Sequence, residues 1–298
     1  MIKRTVLTAL ITLGLLLPGF IAAQKMVQIK GSDTLVNLVQ ILSENFMAEN
    51  PRTAIAVLGG GSGTGIAGLI NGTCDIANHS RPMKSSEEDL CRRRGVDYRT
   101  FVVAIDGLSV IIHKNNPVNE LPMDTIGAIY RGEITNWKDV GGPDMTISLY
   151  GRQSNSGTFV FFQEHVLGNQ DYADTMKRMN GNAQIVEGVM NDKAAIGYVG
   201  VGYIVDSRTG QSNPELTVLN VSKDEDSKSF SPLDKESVNS GDYPVSRPLF
   251  MTSSGAPRGV VVDLMKYILS EKGQKVIVEE GFFPIGKGIL AENMTKLK

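Results

Sequence analysis

Three short segments combine glycines with hydroxyl side chains at points where a predicted strand leads into a predicted helix. They span residues 31–34, 59–65 and 152–158. The first N–H groups of a helix have no partners inside the helix and lie at the positive end of its dipole, so they can bind an anion. One such turn is ordinary helix capping. Three of them, the last led by Arg152, indicate a small anion bound without a metal.

The composition and net charge of the chain narrow the ligands that such a site can serve. The 298 residues favour two domains, and a composition of 41% hydrophobic and 21% charged residues provides a sizeable core. The 30 basic and 32 acidic residues give a net charge of −2, whereas nucleic-acid-binding proteins usually have a basic excess. We therefore expect no nucleic-acid partner and an anion site built from a few directed donors.

The N-terminus has the pattern of a secretory signal peptide. Residues 1–4 are basic, residues 5–17 are apolar, and small residues precede a predicted cleavage site after Ala23. The alternative is an uncleaved membrane anchor, although the apolar run is short for a membrane span. We expect a signal peptide at 1–23 and a mature protein that is soluble and exported.

The order of predicted strands and helices indicates the α/β class. Strands at 26–30, 53–58 and 74–77 alternate with helices at 35–48 and 66–70. Such alternation favours a parallel sheet with helices on its faces.

A second alternation follows a break at residues 115–117, and residues 220–241 are predicted to form a long exposed loop with one short helix. The other predicted elements are strands at 101–105, 108–113, 147–150, 194–199 and 249–252, and helices at 85–94, 158–166, 260–269 and 274–280.

Redox, metal and catalytic chemistry receive little support from the sequence. Residues 63–68 match a dinucleotide-binding glycine pattern, but no acidic residue follows where a ribose would need one. The histidines His79, His113 and His165 lie in different segments and show no metal-ligand spacing. We expect no cofactor, no metal and no enzymatic activity.

The two cysteines, Cys74 and Cys91, are an even pair in a chain predicted to be exported. Because disulfides persist in oxidising compartments, we expect a bond between them. The alternative is two unpaired thiols, one in a strand and one on a helix.

Residues 152–159 read Arg-Gln-Ser-Asn-Ser-Gly-Thr-Phe, which resembles the Arg-x-x-x-Ser-Gly-Thr-(x)-Phe signature of the periplasmic phosphate-binding proteins of ABC transporters. Residues 31–34, 61–65, 134–142 and 195–198 are also similar to segments of that family, in the family's order. The resemblance covers nearly the whole mature chain.

The resemblance implies a two-lobe periplasmic-binding-protein fold of type II, with a mostly parallel sheet in each lobe and one phosphate in the cleft. The first lobe would comprise residues 24–107 plus 247–298, and the second lobe residues 108–246. The two hinge crossings would lie near 105–111 and 246–250. The family's partners would be inorganic phosphate and the inner-membrane permease, and we expect a monomer.

The resemblance also implies the ligand contacts. The guanidinium of Arg152 would supply the positive charge, and hydroxyl and backbone N–H groups from both lobes would donate further hydrogen bonds. Helix N-termini and a planar guanidinium suit phosphate oxygens. The predicted phosphate-binding residues are Ser32, Asp33, Thr34, Leu35, Ser62, Ser80, Arg81, Arg152, Ser156, Gly157 and Thr158.

One departure from the family pattern concerns the choice of anion. Many family members have an aspartate after the strand at 74–77, where it accepts the proton of hydrogen phosphate, but this chain has Ser80 and Arg81 there. Asp33 is a possible replacement acceptor, and its alternative role is a plain helix cap. The rival functions are binding of another oxyanion such as sulfate and, from a different class, an exported phosphatase.

Overall fold

The computed structural model describes residues 26–297, so the predicted signal peptide at 1–23 lies outside the described residues. The strands are β1 (Val27–Gly31), β2 (Ile55–Leu58), β3 (Ile76–His79), β4 (Tyr98–Gly107), β5 (Ser109–His113), β6 (Glu120–Pro122), β7 (Ser148–Arg152), β8 (Lys177–Met179), β9 (Ala195–Val199), β10 (Leu216–Val218), β11 (Asn220–Ser222) and β12 (Ser246–Ser254). The α-helices are α1 (Val36–Glu49), α2 (Ser62–Ile70), α3 (Ser85–Arg93), α4 (Met123–Arg131), α5 (Gly157–His165), α6 (Asn182–Asn191), α7 (Lys235–Ser240), α8 (Val260–Leu269), α9 (Glu271–Glu279) and α10 (Lys287–Lys296).

The first sheet has the strand order β2-β1-β3-β12-β4. Strand β1 pairs in parallel with β2 and with β3, while β12 runs antiparallel to β3 and β4. Parallel strands end at the same edge of a sheet, so the turns after β1, β2 and β3 lie side by side. This edge carries the glycine- and hydroxyl-rich turns of the N-terminal part of the chain.

The second sheet has the strand order β10-β5-β9-β7-β8, and β6 and β11 form a separate small ladder. Strand β7 pairs in parallel with β8 and β9. Every residue of β9 is buried, as expected for an inner strand covered on both faces. Residues 152–158 therefore begin at the carboxyl end of β7, which pairs with this buried strand.

The chain passes between the two sheets at two neighbouring points. Strand β4 ends at Gly107 and β5 begins at Ser109, while β12 begins at Ser246, which is the register partner of Gly107. The Leu108 N–H between the sheets donates to the Val245 carbonyl at 3.2 Å. The two crossings thus lie side by side, at Leu108 and Val245.

Several helices differ from the predicted ones. Helix α2 begins at Ser62 rather than residue 66, so its first turn contains the glycine-rich segment. The segment at 220–241 contains β11 as well as the predicted short helix, α7. Helices α4, α6 and α10 were not predicted from the sequence. Within residues 26–297, no helix is both long and apolar enough to cross a membrane.

The predicted disulfide is wrong, because Cys74 and Cys91 are both free, buried thiols in the structure. Cys74 packs with Leu69, whereas Cys91 packs with Ile66 and Ile70, so the two cysteines belong to different clusters. Burial raises the pKa of the Cys74 thiol to about 11, which keeps it protonated at neutral pH.

Candidate anion-binding site

Hydroxyl groups from the two sheets meet where the turns after β1 and β7 face each other. Thr34, in the turn after β1, places its Oγ1 3.0 Å from the Oγ1 of Thr158, in the first turn of α5. Both residues are buried, at 1% and 0% exposure. Two hydroxyls in contact across 124 residues of sequence mark this as a point where the two sheets' turns converge.

A second pair of hydroxyls lies beside the first. The Ser62 Oγ accepts from the Ser80 backbone N–H at 3.1 Å and lies 3.3 Å from the Ser80 Oγ. A Cβ at Gly157 would lie 2.8 Å from the Ser80 Oγ and closer still to the Ser62 Oγ. Only glycine therefore allows the N-terminus of α5 to approach these serines.

Ser156 occupies the N-cap position of α5. Its Oγ accepts from the N–H groups of Thr158 at 3.2 Å and Phe159 at 3.4 Å. The hydroxyl proton of Ser156 remains available to another acceptor. The start of α5 therefore combines a hydroxyl donor with the positive end of a helix dipole.

Arg152 contributes a buried positive charge at the end of β7. Its Nη2 donates to the Asn180 carbonyl at 3.0 Å and pairs with the Asp33 carboxylate. Its Nε and Nη1 atoms are buried without a hydrogen-bond partner among residues 26–297. A buried guanidinium with unpartnered N–H groups is costly in free energy, and an anion that accepts from them removes that cost.

The Asp33 carboxylate belongs to this site and is not a helix cap. One oxygen accepts from the Gly60 N–H at 2.7 Å, and the other pairs with Arg152. Leu35 occupies the N-cap position of α1, which has no side-chain capping bond within the described chain, so Asp33 does not take its alternative role as a helix cap.

Tyr203 supports the same turn from the second sheet's side. Its hydroxyl donates to the Asp33 backbone carbonyl. Burial, together with the Asp33 charge, raises the pKa of Tyr203 to about 12, so the hydroxyl remains a donor at neutral pH. Tyr203 was not predicted from the sequence as part of the site.

Two other predicted site residues use most of their donors elsewhere. Arg81 donates from both terminal nitrogens to the Glu87 carboxylate, at 2.8 and 2.7 Å, which binds its guanidinium to α3, while its Nε is buried without a partner among the described residues. The Leu35 N–H donates to the carbonyl of Ser32 at 3.1 Å within the turn after β1. Ser32 itself is buried in that turn.

Asn155 connects the glycine-rich turn to the segment before α5. Its side-chain amide donates to the Gly60 carbonyl at 2.8 Å, and its own carbonyl accepts from the Gly63 N–H at 3.0 Å. A Cβ at Gly61 would lie 2.6 Å from the Asn155 carbonyl oxygen, so this approach also requires glycine. Neither contact follows from local sequence patterns.

A buried ion pair, also missed from the sequence, lies behind the hydroxyls. Arg247 donates from Nε and Nη2 to one oxygen of Asp106, at 2.9 and 2.8 Å. Burial lowers the pKa of Arg247 while Asp106 opposes that shift. Asp106 lies in a strand made mostly of apolar residues, and a charge in such a place was the available signal.

His79 stabilises the end of β3, next to Ser80. Its Nδ1 contacts the Arg81 carbonyl at 2.7 Å, and its Nε2 contacts the Thr252 hydroxyl at 2.6 Å. Complete burial lowers the pKa of His79 to about 4, so the ring is neutral near pH 7. His79 therefore has a structural role in placing Ser80. Across residues 26–297, no group of three potential ligand side chains could hold a metal ion.

Comparison with known proteins first identifies the superfamily of the chain. A family model described as a PBP superfamily domain matches residues 20–272. Among solved structures, a candidate phosphate ABC transporter substrate-binding protein with bound phosphate from Clostridium perfringens has a TM-score of 0.76 and 29% identity, covering 88% of this chain and 100% of that chain. An ABC-type phosphate transport receptor from Vibrio cholerae has a TM-score of 0.69 and 28% identity, covering 87% and 100%.

Curated relatives identify the family within that superfamily. The chain is 32% identical over 252 residues to the phosphate-binding protein PstS of Staphylococcus haemolyticus, covering 82% of this chain and 77% of the relative. It is 29% identical over 272 residues to the phosphate-binding protein PstS of Pseudomonas aeruginosa, covering 86% and 81%. The chain belongs to the PstS family within the PBP superfamily. The resemblance drawn from the sequence and the predicted α/β fold of the periplasmic-binding-protein type are confirmed.

Proposed function

We propose that this protein captures inorganic phosphate in the periplasm and delivers it to an ABC transporter permease. The observation that carries the proposal is the buried Arg152 guanidinium, whose Nε and Nη1 have no protein partner among residues 26–297. Hydroxyls and a helix N-terminus lie beside it, which is the donor set that a phosphate requires. Capture and release break no covalent bond, so the proposed role is not enzymatic.

The proposed ligands are a subset of those predicted from the sequence. Arg152 supplies the charge, and α5 supplies the Gly157 N–H and the hydroxyls of Ser156 and Thr158. The turns of the first sheet supply further hydroxyls, and Asp33 accepts a phosphate proton. The proposed set is Asp33, Thr34, Ser62, Ser80, Arg152, Ser156, Gly157 and Thr158, with Ser32 and Leu35 shaping the first turn and Arg81 left out.

We further propose that the two sheets are the cores of two lobes, with residues 24–107 plus 247–298 in one and 108–246 in the other. The pairs Thr34–Thr158 and Asp33–Arg152 then join the lobes across the cleft. A ligand that contacts both lobes favours the closed form. Small-angle scattering with and without phosphate tests this, and an unchanged radius of gyration at saturation would contradict it.

Export and affinity complete the proposal. The signal peptide at 1–23 would direct the mature protein to the periplasm, where it acts as a monomer. Each charge-assisted hydrogen bond contributes about 1.5–3 kcal/mol. Five such bonds leave about −8 kcal/mol after the costs of binding and closure, which corresponds to a dissociation constant near 1 μM.

Calorimetry of the mature chain with phosphate, arsenate and sulfate tests the proposed function. We expect phosphate to bind at micromolar concentration or tighter, and sulfate to bind more weakly because it cannot donate a proton to Asp33. The absence of phosphate binding would refute the proposal. Preferred binding of sulfate would identify the protein as a carrier of a different oxyanion, and hydrolysis of a phosphate ester would indicate a phosphatase.

A further inference from the structure

The buried ion pair between Arg247 and Asp106 lies on the two strands that connect the sheets, β12 and β4. The side chains are 1% and 0% exposed, and the guanidinium also lies 5.2 Å from the centre of the Phe161 ring. Removing two charges from water is costly, and a well-packed apolar pair is often as stable. Stability alone is therefore a weak explanation for charges at this position.

The contacts of the pair point to the site. Arg247 donates from Nη1 to the Ser80 carbonyl at 3.2 Å and from Nη2 to the Thr158 Oγ1 at 3.1 Å. The second oxygen of Asp106 accepts from the Val201 N–H at 2.9 Å. These partners lie at the end of β3, in the first turn of α5 and just after β9. One ion pair thus contacts a site-bearing segment of the first sheet and two segments of the second.

The bond to Thr158 determines what that hydroxyl can do. Because Arg247 is a donor only and stays charged, the Thr158 oxygen must act as the acceptor in their contact. The Thr158 proton then points to another acceptor, which is either the Thr34 oxygen or a ligand oxygen. Arg247 therefore makes Thr158 a donor toward an unprotonated oxygen of an anion.

We propose that Arg247, held in place by Asp106, is a positioning residue for anion binding. It orients the Thr158 hydroxyl as a donor and fixes the Ser80 carbonyl relative to α5. The connecting strands β4 and β12 and the residues of the site therefore adopt a single arrangement. The proposal rests on the proposed function, since the anion whose affinity it sets is phosphate.

The test is the Arg247→Lys variant, which keeps the charge but loses the planar set of donors. Losing the bonds to Ser80 and Thr158 should weaken phosphate binding by about tenfold, measured by calorimetry. Arg131→Lys is the matched control, because Arg131 forms a carboxylate pair with Glu133 away from the cluster, and its affinity should be unchanged.

A double-mutant cycle with Thr158→Val separates positioning from a general structural effect. If Arg247 acts through the Thr158 hydroxyl, Arg247→Lys should cost at least threefold less affinity in the Thr158→Val background than in the wild type. Equal costs in the two backgrounds, or wild-type affinity for Arg247→Lys, would overturn the proposal. Failure of the wild-type protein to bind phosphate would instead overturn the proposed function.

A second variant covers the case in which Arg247→Lys does not fold. Combining Asp106→Asn with Arg247→Gln replaces the charged pair by a neutral pair and leaves no unpaired buried charge. The same tenfold loss of phosphate affinity is expected in this double variant, and unchanged affinity would refute the positioning role.

Discussion

Replacing Asp33 by asparagine tests how the site distinguishes phosphate from sulfate. In the structure, one carboxylate oxygen accepts from the Gly60 N–H and the other pairs with Arg152. The amide oxygen of asparagine can keep the first bond. Its NH₂ group, however, would face the Arg152 N–H groups as a second donor, and the negative charge is lost.

The two anions should respond to this change in opposite directions. Hydrogen phosphate loses an acceptor for its proton, which is a charge-assisted bond of about 1.5–3 kcal/mol. Sulfate has no proton to donate, so it gains from the removal of a like charge and from the full charge of Arg152. At about 1.4 kcal/mol for each tenfold change, the ratio of phosphate to sulfate affinity should fall at least tenfold.

Competition calorimetry at a fixed, low ionic strength and neutral pH measures this ratio. Arg152→Met should weaken both anions, and Asp97→Asn, which removes an exposed partner of Arg99, should change neither. If Asp33→Asn leaves the ratio within twofold of wild type, Asp33 does not choose the anion, and the reasoning above is wrong.

Three further predictions follow from buried groups. The unfolded chain binds a proton at His79 near pH 6.5 and the folded chain only near pH 4, so stability should fall by about 3 kcal/mol as pH drops through this window, and His79→Gln should remove that loss in urea titrations. Gly157→Ala should weaken phosphate binding at least tenfold by calorimetry, because the added methyl overlaps Ser62. A thiol reagent should label both Cys74 and Cys91 in the unfolded, unreduced chain.

Matched controls make the first two outcomes specific. His165→Gln changes an exposed histidine and should leave the acid dependence of stability unaltered. Gly288→Ala places a methyl in open space on α10 and should leave phosphate affinity unaltered. An unchanged acid profile in His79→Gln, full affinity in Gly157→Ala, or unlabelled thiols after unfolding would each contradict the corresponding argument.

The sequence alone was enough to locate the turns that carry the candidate site. The first N–H groups of a helix and the glycine and hydroxyl residues beside them are neighbours in the chain, so these segments are visible in the sequence. The periodic spacing of apolar residues likewise predicted most of the strands and helices. A strand or helix that buries one face needs apolar residues at regular intervals, which is a local requirement. These features depend on residues that are neighbours in the chain.

The partners of the charged residues depend on tertiary structure. Asp33 and Arg152 are 119 residues apart and Asp106 and Arg247 are 141 residues apart, so no local pattern connects them. Glu87, which binds Arg81, is by contrast only 6 residues away in the sequence.

The cysteines were misjudged for the same reason. An even number of cysteines in a chain predicted to be exported favours a disulfide. The packing of the strand and the helices, however, places Cys74 and Cys91 in separate hydrophobic clusters. The sequence determined which segments can donate to an anion, because backbone geometry and capping are local. Only the tertiary structure decided which charged residues face those segments. A buried unpaired charge is costly in free energy, and the packing of distant segments brings each buried charge to its partner.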